Sequence, residues 1–233
     1  MFKAHSKRLF SSSWPRFLTQ EHGKAVDVMI SESNNIMLNL AAEDFIFEHL
    51  DVVNPLLFLY RNKPTIIIGK HQNPWKECHV HKLEQDGVVL ARRKSGGGAV
   101  YQDLGNSVFC FINPINAEQD FKTFNNTLLI GSLEQFNIKA EASGRNDLQV
   151  GDKKISGSAY KLKLGRNNGI GRRSLHHGTM LLNLDLSCLG KYLNPNKKKL
   201  ESKGVDSVVS RVMNLVEANP LINHENFSTA LAE

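Results

Sequence analysis

The stretch ARRKSGGGAVYQDLGN, residues 91–106, places two arginines and a lysine directly before three consecutive glycines. The run VVLARR (88–93) predicts a β-strand, and AVYQ and NSVFCFI behind the glycines predict two more, separated by an Asp-Leu-Gly-Asn turn. The glycine run therefore joins one strand to another. It matches neither the Walker motif, which continues into Lys-Ser or Lys-Thr, nor the dinucleotide-binding fingerprint, which opens a helix.

Two interpretations account for the glycines at 96–98. The structural one is a bulge or a tight turn that only glycine adopts readily. The chemical one is an anion site, because glycines let backbone N–H groups approach a phosphate, and Arg92, Arg93 and Lys94 lie beside them to balance its charge. We expect this stretch to hold a phosphorylated ligand against a sheet.

The rest of the chain contains both helical and extended patterns. Apolar or helix-forming patterns with helical spacing occur at about 37–50, 121–138 and 205–216. Strand patterns occur at 55–60, at 65–69, on both sides of Gly151-Asp152, and at 177–186, where alternation predicts a half-buried strand. Grouped strands with helices at intervals indicate an α+β fold with a mixed or antiparallel sheet and flanking helices. We expect one domain over residues 25–233.

A second chemical candidate lies in KKISGSAYK, residues 153–161. On the returning strand of the predicted hairpin, Lys154 and Ser156 would face one side and Ile155 the other, while Gly157 would leave room for a ligand. A lysine on a strand is usually only solvated. Here the adjoining Gly-Ser-rich segment favours a fixed cation instead.

Metal-binding and disulfide patterns are weak in this sequence. Cys78, Cys110 and Cys188 stand far apart without a Cys-x-x-Cys pair, which favours buried thiols in a reducing compartment. His176 and His177 have no obvious carboxylate partner in the sequence. Their role stays open at this point.

The formal net charge is +6 over 233 residues, and most of the excess lies at the beginning of the chain. Residues 1–20 carry four basic residues and no acid, so that the basic and acidic residues of the remainder nearly cancel. The sequence therefore does not indicate a nucleic-acid groove, and no apolar run approaches the roughly 20 residues of a membrane span. An Arg-, Lys- and Ser-rich leader without acids predicts a mitochondrial transit peptide over 1–20; a disordered basic N-terminus is the alternative.

Three segments in register resemble the lipoate-protein ligase A and lipoyltransferase family: ARRKSGGGAVYQDLGN, SGRNDLQVGDKKISGSAYK (143–161) and HHGTMLLNLDL (176–186). The resemblance continues through NLAAEDFIF (39–47), RNKPTIIIGKHQNPWKEC (61–78) and YLNPNKKKLESKGVDSVVSRVMNL (192–215), and covers about residues 28–227. So many matched segments in order make it highly specific. It implies an α+β catalytic domain of the biotin/lipoate protein ligase type, related to class II aminoacyl-tRNA synthetases.

The resemblance implies an ATP-dependent lipoate-protein ligase. Such enzymes use ATP and Mg²⁺ to activate lipoate to lipoyl-AMP, and then pass the lipoyl group to a specific lysine of an acceptor domain. The implied partners are the lipoyl-acceptor domains of 2-oxoacid dehydrogenase complexes and the glycine-cleavage carrier protein, and the implied compartment is the mitochondrial matrix. We expect a monomer that binds neither nucleic acid nor membrane.

The resemblance also implies roles residue by residue. Lys154 would contact both the lipoyl carbonyl and the phosphate, because attack on the α-phosphorus builds negative charge that a fixed cation stabilises. The other adenylate-binding positions are Arg93, Gly98, Ala99, Val100 and Tyr101. The lipoate-binding positions are Ser95, Gly97 and His177, with Ile68 and Val100 lining an apolar tunnel. Further positions near the pocket are Asn73, Asn146 and Asp147, and no metal ligand is identified.

The chain departs from the family pattern in three places. Gln102 stands where many relatives carry histidine, and the connection 161–175 is longer and more basic than in the compact bacterial pattern, which predicts a mobile lid. The chain also stops at Glu233, so we expect the C-terminal accessory domain to be absent. Two alternatives stay open: a lipoyltransferase that uses preformed lipoyl-AMP or a lipoylated carrier protein, and a non-catalytic paralogue that binds lipoyl-adenylate or an acceptor domain.

Overall fold

The computed structural model describes residues 2–5, 26–50, 52–115, 120–144, 146–165, 171–194 and 212–233. The strands in these ranges are β1 (Phe2–His5), β2 (Asp27–Ser31), β3 (Leu56–Tyr60), β4 (Thr65–Ile68), β5 (Val89–Arg92), β6 (Val100–Gln102), β7 (Asn106–Pro114), β8 (Glu141–Ser143), β9 (Asp147–Val150), β10 (Lys153–Lys163) and β11 (Arg173–Leu181). The helices are α1 (Ile36–His49), α2 (Pro74–Glu77), α3 (Val80–Gln85), α4 (Phe121–Glu134), α5 (Ser187–Tyr192) and α6 (His224–Ala232), with a 3₁₀ helix at Leu215–Glu217. In this described part of the chain, no helix is long and apolar enough to cross a membrane.

The strands form two sheets. The larger has eight strands in the order β1-β2-β3-β7-β11-β10-β9-β8, and the smaller has three in the order β5-β4-β6. β2 and β3 are parallel, as are β4 and β5, whereas the other neighbouring strands run antiparallel. The predicted α+β fold with a mixed sheet and flanking helices is therefore confirmed.

The central strands β3 and β7 are buried on both faces. Leu57 and Phe109 pack on one side in a core that includes side chains of α4 and α6, while Phe58 and Cys110 pack on the other side against α1. Because successive side chains of a strand point to opposite faces, a sheet covered on both sides requires apolar residues at every position. This requirement explains the unbroken apolar run of β3, in which all five residues are buried.

The two strands predicted at 55–60 and 65–69 both form, but they belong to different sheets. β3 is part of the large sheet, whereas β4 is the middle strand of the small one. Asn62, in the connection between them, is buried and donates to Gln102 Oε1 over 2.7 Å. Gln102 thus fastens β6 to the connection between the two sheets.

Helix α1 forms where the sequence predicts it, but its buried face coincides only in part with the apolar pattern of the sequence. The buried residues are Ile36, Asn39, Glu43, Ile46 and Phe47. Two apolar residues of the predicted stripe, Leu38 and Phe45, are exposed to 42% and 55%. The helix therefore turns the polar side chains of Asn39 and Glu43 inward, beside its buried apolar residues.

Two expectations for the second half of the chain are corrected. The strand predicted at 177–186 as half-buried is β11, which begins earlier, ends at Leu181 and is buried at all but one of its nine positions. It is buried because it lies between β7 and β10 inside the large sheet. Residues 205–211 of the helix predicted at 205–216 lie outside the described range. Within 212–216, Val212 bridges Lys154 and the short 3₁₀ helix begins at Leu215, so that no α-helix forms over these positions.

The leader and the predicted lid are described only in part. Residue 1 and residues 6–25 lie outside the described range, and the backbone of β1 pairs antiparallel with β2. In the predicted lid, β10 continues to Lys163 and β11 begins at Arg173, so that both flanks are strands of the large sheet. Residues 166–170 of the predicted lid lie outside the described range.

Candidate active site

Arg93 is buried and holds the glycine loop, defined here as residues 94–98. Its Nη2 donates to the carbonyl oxygens of Gly96 at 2.8 Å and Gly98 at 2.7 Å, and its Nη1 donates to the carbonyl of Ile67 at 3.2 Å. A guanidinium carries five N–H donors in a fixed plane, and here most of them bind protein carbonyls. Arg93 therefore shapes the backbone that would face a ligand.

The other two cations of the stretch are also bound within the protein. Arg92 Nη1 donates to the carbonyl oxygens of Gly69 at 3.0 Å and Gln72 at 2.8 Å. Lys94 Nζ pairs with Asp44 Oδ2 at 2.5 Å. The sequence predicted three cations that balance a ligand's charge; the structure instead uses both arginines to fix loops and pairs the lysine with a carboxylate. The exposed backbone of the glycine loop is what faces outward.

Glycine is required at two positions where the glycine loop touches the neighbouring loop, Gly97 and Gly69. Gly97 has φ of 99°, in the region that disfavours residues with a Cβ. A Cβ on Gly69, in the neighbouring loop, would lie 2.3 Å from the carbonyl oxygen of Gly97, so the two backbones touch directly. The Lys70 amide donates to the Ser95 carbonyl at 2.9 Å and completes this contact. The tight-turn interpretation is thus confirmed at Gly97, whereas the anion site stays a prediction.

A chain of buried hydrogen bonds leads from the glycine loop into α1. Ser95 Oγ lies 2.6 Å from Nε2 of His177, and Nδ1 of the same ring lies 2.7 Å from Glu43 Oε1. The second carboxylate oxygen of Glu43 accepts from the Tyr60 hydroxyl at 3.1 Å, and Arg93 Nε donates to Ser95 Oγ at 3.2 Å. These five residues are all buried. His177, for which the sequence offered no carboxylate partner, therefore has one.

Burial is the main cause of the pKa shifts of Arg93 and Tyr60 in this hydrogen-bonded group. It lowers the pKa of the Arg93 guanidinium, while the nearby Glu43 carboxylate acts in the opposite direction. Burial, reinforced by Glu43, raises the pKa of the Tyr60 hydroxyl well above its usual range. Tyr60 thus stays a neutral donor to a carboxylate that balances a buried cation. Glu43 was not singled out from the sequence. Its spacing could have pointed to it, because Glu43 lies four residues after Asn39 and four before Phe47, so that the three share one helical face.

Lys154 lies at an irregular point of β10. The pairing of β10 with β9 shifts register between Lys154 and Ser156, which is the signature of a β-bulge. The expected strict alternation is therefore wrong here, and Ile155 and Ser156 are both buried. A Cβ built on Gly157 would lie 2.8 Å from Lys154 Nζ, so the lysine folds over its own strand at the glycine. Lys154 Nζ also pairs with Asp147 Oδ1 at 2.8 Å.

The glycine loop and the Lys154 ammonium lie on the same side of β10. The Cβ position of Gly97 would lie 3.8 Å from the Cβ of Ala159, which places the loop against this strand. Ala159 and Gly157 are two residues apart and therefore share a face. The backbone of the loop and the Lys154 ammonium beside Gly157 thus lie over the same face of one strand.

The remaining predicted positions have structural surroundings of their own. Tyr101 is buried, its ring lies 5.7 Å from that of Tyr192, and burial raises the pKa of its hydroxyl. Asn73 caps α2 by accepting from the Trp75 amide at 3.0 Å. Asn146 contributes its carbonyl, which accepts from the amide and the hydroxyl of Ser158, both at 2.9 Å.

The apolar candidate positions pack in core clusters next to the glycine loop. Ala99 packs against the core cluster that contains Ile68 and Tyr101, whereas Val100 packs against a different small cluster. Ile68 and Val100, which the sequence placed together in a tunnel, thus belong to separate clusters in the structure.

Comparison with known proteins identifies the class. The family of the lipoyl protein ligase A/B catalytic domain matches residues 35–233. The chain therefore belongs to this family. A lipoate-protein ligase A of Psychrobacter cryohalolentis is 50% identical over 206 residues, which are 88% of this chain and 58% of that protein. A lipoate-protein ligase A of Bdellovibrio bacteriovorus is 47% identical over 211 residues, or 88% of this chain and 59% of that protein. The chain thus spans less than two thirds of the length of these relatives.

Solved structures with the same fold carry related ligands. The crystal structure of P. falciparum LipL1 in complex with lipoate has a TM-score of 0.71 and 40% identity, over 89% of this chain and 60% of that chain. A lipoate-protein ligase A bound with ATP has a TM-score of 0.73 and 26% identity, over 89% and 82% of the two chains. A bipartite lipoate protein ligase of Thermoplasma acidophilum, described with its E2 lipoyl domain, has a TM-score of 0.73 and 27% identity, over 89% and 80%.

Proposed function

We propose that this protein is a lipoate-protein ligase, which activates lipoate with ATP to lipoyl-AMP and transfers the lipoyl group to a lysine of an acceptor domain. The observation that carries the proposal is the placement of Lys154 and the glycine loop on the same side of β10. The similarity to ligases solved with lipoate and with ATP supports it. Activation of a carboxylate by ATP needs this combination, a backbone cradle for phosphate beside one fixed cation.

In the proposed first step, the lipoate carboxylate attacks the α-phosphorus of ATP and pyrophosphate leaves. Gly97 and Gly98 would offer exposed backbone to the phosphate, with Arg93 holding the carbonyl groups of Gly96 and Gly98. Lys154, 40% exposed, would balance the charge that develops on the phosphoryl oxygens. Because its ammonium is fixed by Asp147, little reorganisation accompanies the reaction.

The aliphatic chain of lipoate would be held mainly by burial of apolar surface. Its carboxyl end would lie near Ser95 and His177, whose hydrogen bonds to Arg93 and Glu43 fix their positions before any ligand binds. Mg²⁺ would enter with the ATP phosphates. In the described part of the chain, no group of three or more His, Cys, Asp or Glu side chains is arranged to hold a metal ion.

We propose that the acceptors are lipoyl domains of 2-oxoacid dehydrogenase complexes and the glycine-cleavage carrier protein, and that the reaction takes place in the mitochondrial matrix. The E2 lipoyl domain that accompanies the T. acidophilum ligase supports the first part. The basic, acid-free composition of residues 1–20 supports the second. Fractionation of cells that express the full chain tests the compartment, and recovery outside the matrix fraction would contradict it.

A second candidate function is lipoyl transfer without activation. The observation that favours it is that the T. acidophilum ligase, to which this chain is similar, is bipartite. Under this alternative a separate component would form the adenylate, and this chain would accept preformed lipoyl-AMP or a lipoylated carrier protein.

The experiment measures pyrophosphate release by the purified chain with ATP, Mg²⁺ and lipoate, in the absence of an acceptor. We expect lipoate-dependent release, and its loss by at least about 100-fold in Lys154→Ala, because removal of one fixed charge-stabilising group typically costs this much. Lys153→Ala is the matched control, since Lys153 precedes it on the same strand and is exposed; it should release pyrophosphate at the wild-type rate. Absence of release by the wild type, together with acceptor lipoylation from supplied lipoyl-AMP, would establish the transferase instead. Retained release in Lys154→Ala would contradict the role of this lysine.

A further inference from the structure

The transfer step poses an electrostatic problem for this site. The acceptor lysine arrives as an ammonium ion, because a solvated lysine is protonated at neutral pH. It must approach the carbonyl group that Lys154, a second ammonium, would hold under the proposed function. Like charges at such a distance repel, and an ammonium carries no free electron pair. The site therefore needs a group that attracts this ion and removes its proton.

Asp147 has the position for both tasks. Its Oδ1 binds Lys154 Nζ at 2.8 Å, and its side chain is 41% exposed, so that the carboxylate faces solvent beside the fixed cation. Each carboxylate oxygen can accept more than one hydrogen bond. The oxygen turned away from Lys154 is thus open to an incoming ammonium.

The fold holds Asp147 rigidly at this place. It belongs to β9 and pairs with Gly157 of β10 on one side and with Ser143 of β8 on the other. The turn before it is fastened by the Asn146 carbonyl, which accepts two bonds from Ser158, and by Gly144 with φ of 57°. A carboxylate on a strand paired on both sides keeps its direction better than one on a loop.

The other carboxylates of the described chain that lie near the site are already engaged. Glu43 is buried and bound to His177 and Tyr60. Asp44 pairs with Lys94, and Glu48 pairs with Lys161 and Lys163. Asp147 is the carboxylate that contacts Lys154 and is also exposed.

We propose that Asp147 is a catalytic residue of the transfer step, which receives the acceptor lysine as an ammonium ion and accepts its first proton. The neutral amine then attacks the lipoyl carbonyl carbon and forms the C–N bond. The C–O bond to the phosphoryl group breaks, AMP departs, and its phosphate takes the second proton from the nitrogen. Asp147 returns its proton to water, so that one amide, one AMP and one net proton are released per turnover. This assignment rests on the proposed function.

The test separates a charged acceptor from an uncharged one. Purified chain, in excess over supplied lipoyl-AMP, is mixed either with an unlipoylated acceptor domain or with hydroxylamine, which is uncharged at neutral pH and traps the acyl group as a hydroxamate. We expect Asp147→Asn to lower the ratio of lysine transfer to hydroxamate formation by about 100-fold, the scale of general-base catalysis. Asp147→Glu should restore part of the ratio.

The matched control is Asp152→Asn, which removes the same charge from the exposed turn of the same hairpin; its ratio should equal that of the wild type. A parallel loss of both reactions in Asp147→Asn would mean that Asp147 only positions Lys154, and would overturn the proposal. An unchanged ratio would overturn it as well. A wild-type chain that forms hydroxamate but lipoylates no acceptor would instead contradict the proposed function, and this inference would fall with it.

Discussion

Helices α1 and α4 are both 14 residues long and cover opposite faces of the same sheet, and each buries two polar side chains, but only α1 buries one of a charged type. α4 buries three leucines, Leu128, Leu129 and Leu133, in the largest core cluster, together with the uncharged Asn125 and Ser132. α1 buries Asn39 and Glu43 beside its apolar contacts. The α4 face of the sheet thus carries the largest apolar cluster, while the α1 face carries a buried carboxylate and its hydrogen bonds.

The difference between the buried faces of the two helices follows from the elements that surround each helix. α4 and α6 form a closed layer over β3 and β7, where full burial of each leucine contributes roughly 1.5 to 3 kcal/mol. α1 lies where the sheet meets the glycine loop, and Glu43 connects the two through His177 and Ser95. The comparison indicates that the α4 side supplies stability and that the α1 side fixes the geometry of the site.

The largest effect is expected from Glu43→Ala. The change would leave His177 and Tyr60 without their buried acceptor and the Arg93 charge without its nearby carboxylate, and we expect a loss of about 3 to 5 kcal/mol in the free energy of unfolding. Lipoate-dependent pyrophosphate release should fall as well, because the glycine loop loses its support. Urea unfolding and the release assay measure the two effects.

The neighbouring carboxylate provides the control for Glu43. Asp44→Ala removes a partly exposed pair with Lys94 and should cost less than about 1 kcal/mol. If the two alanine variants unfold at the same urea concentration, the buried network on α1 does not stabilise the protein, and the comparison between the helices loses its basis.

The next effect is expected from Leu129→Ala on α4. Leu129 is fully buried, and its truncation should cost about 2 to 5 kcal/mol through lost apolar contact and the cavity left behind. The folded fraction should keep its rate of pyrophosphate release, because Leu129 packs in the core cluster on the face of the sheet opposite α1. Phe45→Ala, on the exposed face of α1, is the matched control and should change stability by no more than about 0.5 kcal/mol. A drop in the activity per folded molecule of Leu129→Ala would show that the two faces are coupled.

The smallest effect is expected in the pH dependence of the free energy of unfolding, through His176 on the α4 side of the sheet. His176 lies under α4, where burial, followed by the charges of His177 and Lys122, lowers its pKa to about 3. The unfolded chain takes up this proton near pH 6.5, so the stability contributed by neutral His176 is complete above that pH and declines as the pH falls towards 3. We expect a loss of about 2 kcal/mol by pH 5.

Comparison with His176→Phe isolates this contribution. Phenylalanine can stack on Tyr160 as the imidazole does, with ring centroids 4.3 Å apart in the wild type, but it binds no proton. His224, whose pKa burial lowers to about 4, titrates in both proteins and cancels in the difference. Urea unfolding at pH 7 and pH 5 should show a steeper loss in the wild type; equal losses would mean that His176 is not held neutral by its surroundings.

Much of the fold could be read from local patterns. The helix near 37–50, the strands at 55–60 and 65–69, and the hairpin at Gly151-Asp152 all form, because spacing and turn residues act over a few neighbouring positions. The buried face of α1 could not be read in this way. Leu38 and Phe45 satisfy the helical pattern, but the partner of Glu43 decides which side turns inward.

The candidate site divides along the same line. Arg93, Ser95, Gly97, Gly98, His177 and Lys154 were identified from motifs, and the structure brings the glycine loop to Lys154 along one strand. Neither the role of Arg93 as a clamp on carbonyl groups nor the bulge at Lys154 was visible beforehand. Both depend on backbone atoms of other segments, which a motif does not specify.

By itself, the sequence determined the family, the α+β class and the candidate positions of the site, since these depend on residue types at fixed short spacings. The tertiary structure decided which of those side chains are exposed and which are bound within the protein. Glu43 and His177 are 134 positions apart and yet lie 2.7 Å from each other. Local patterns set backbone preferences, whereas a hydrogen-bond partner is chosen by the packing of distant segments.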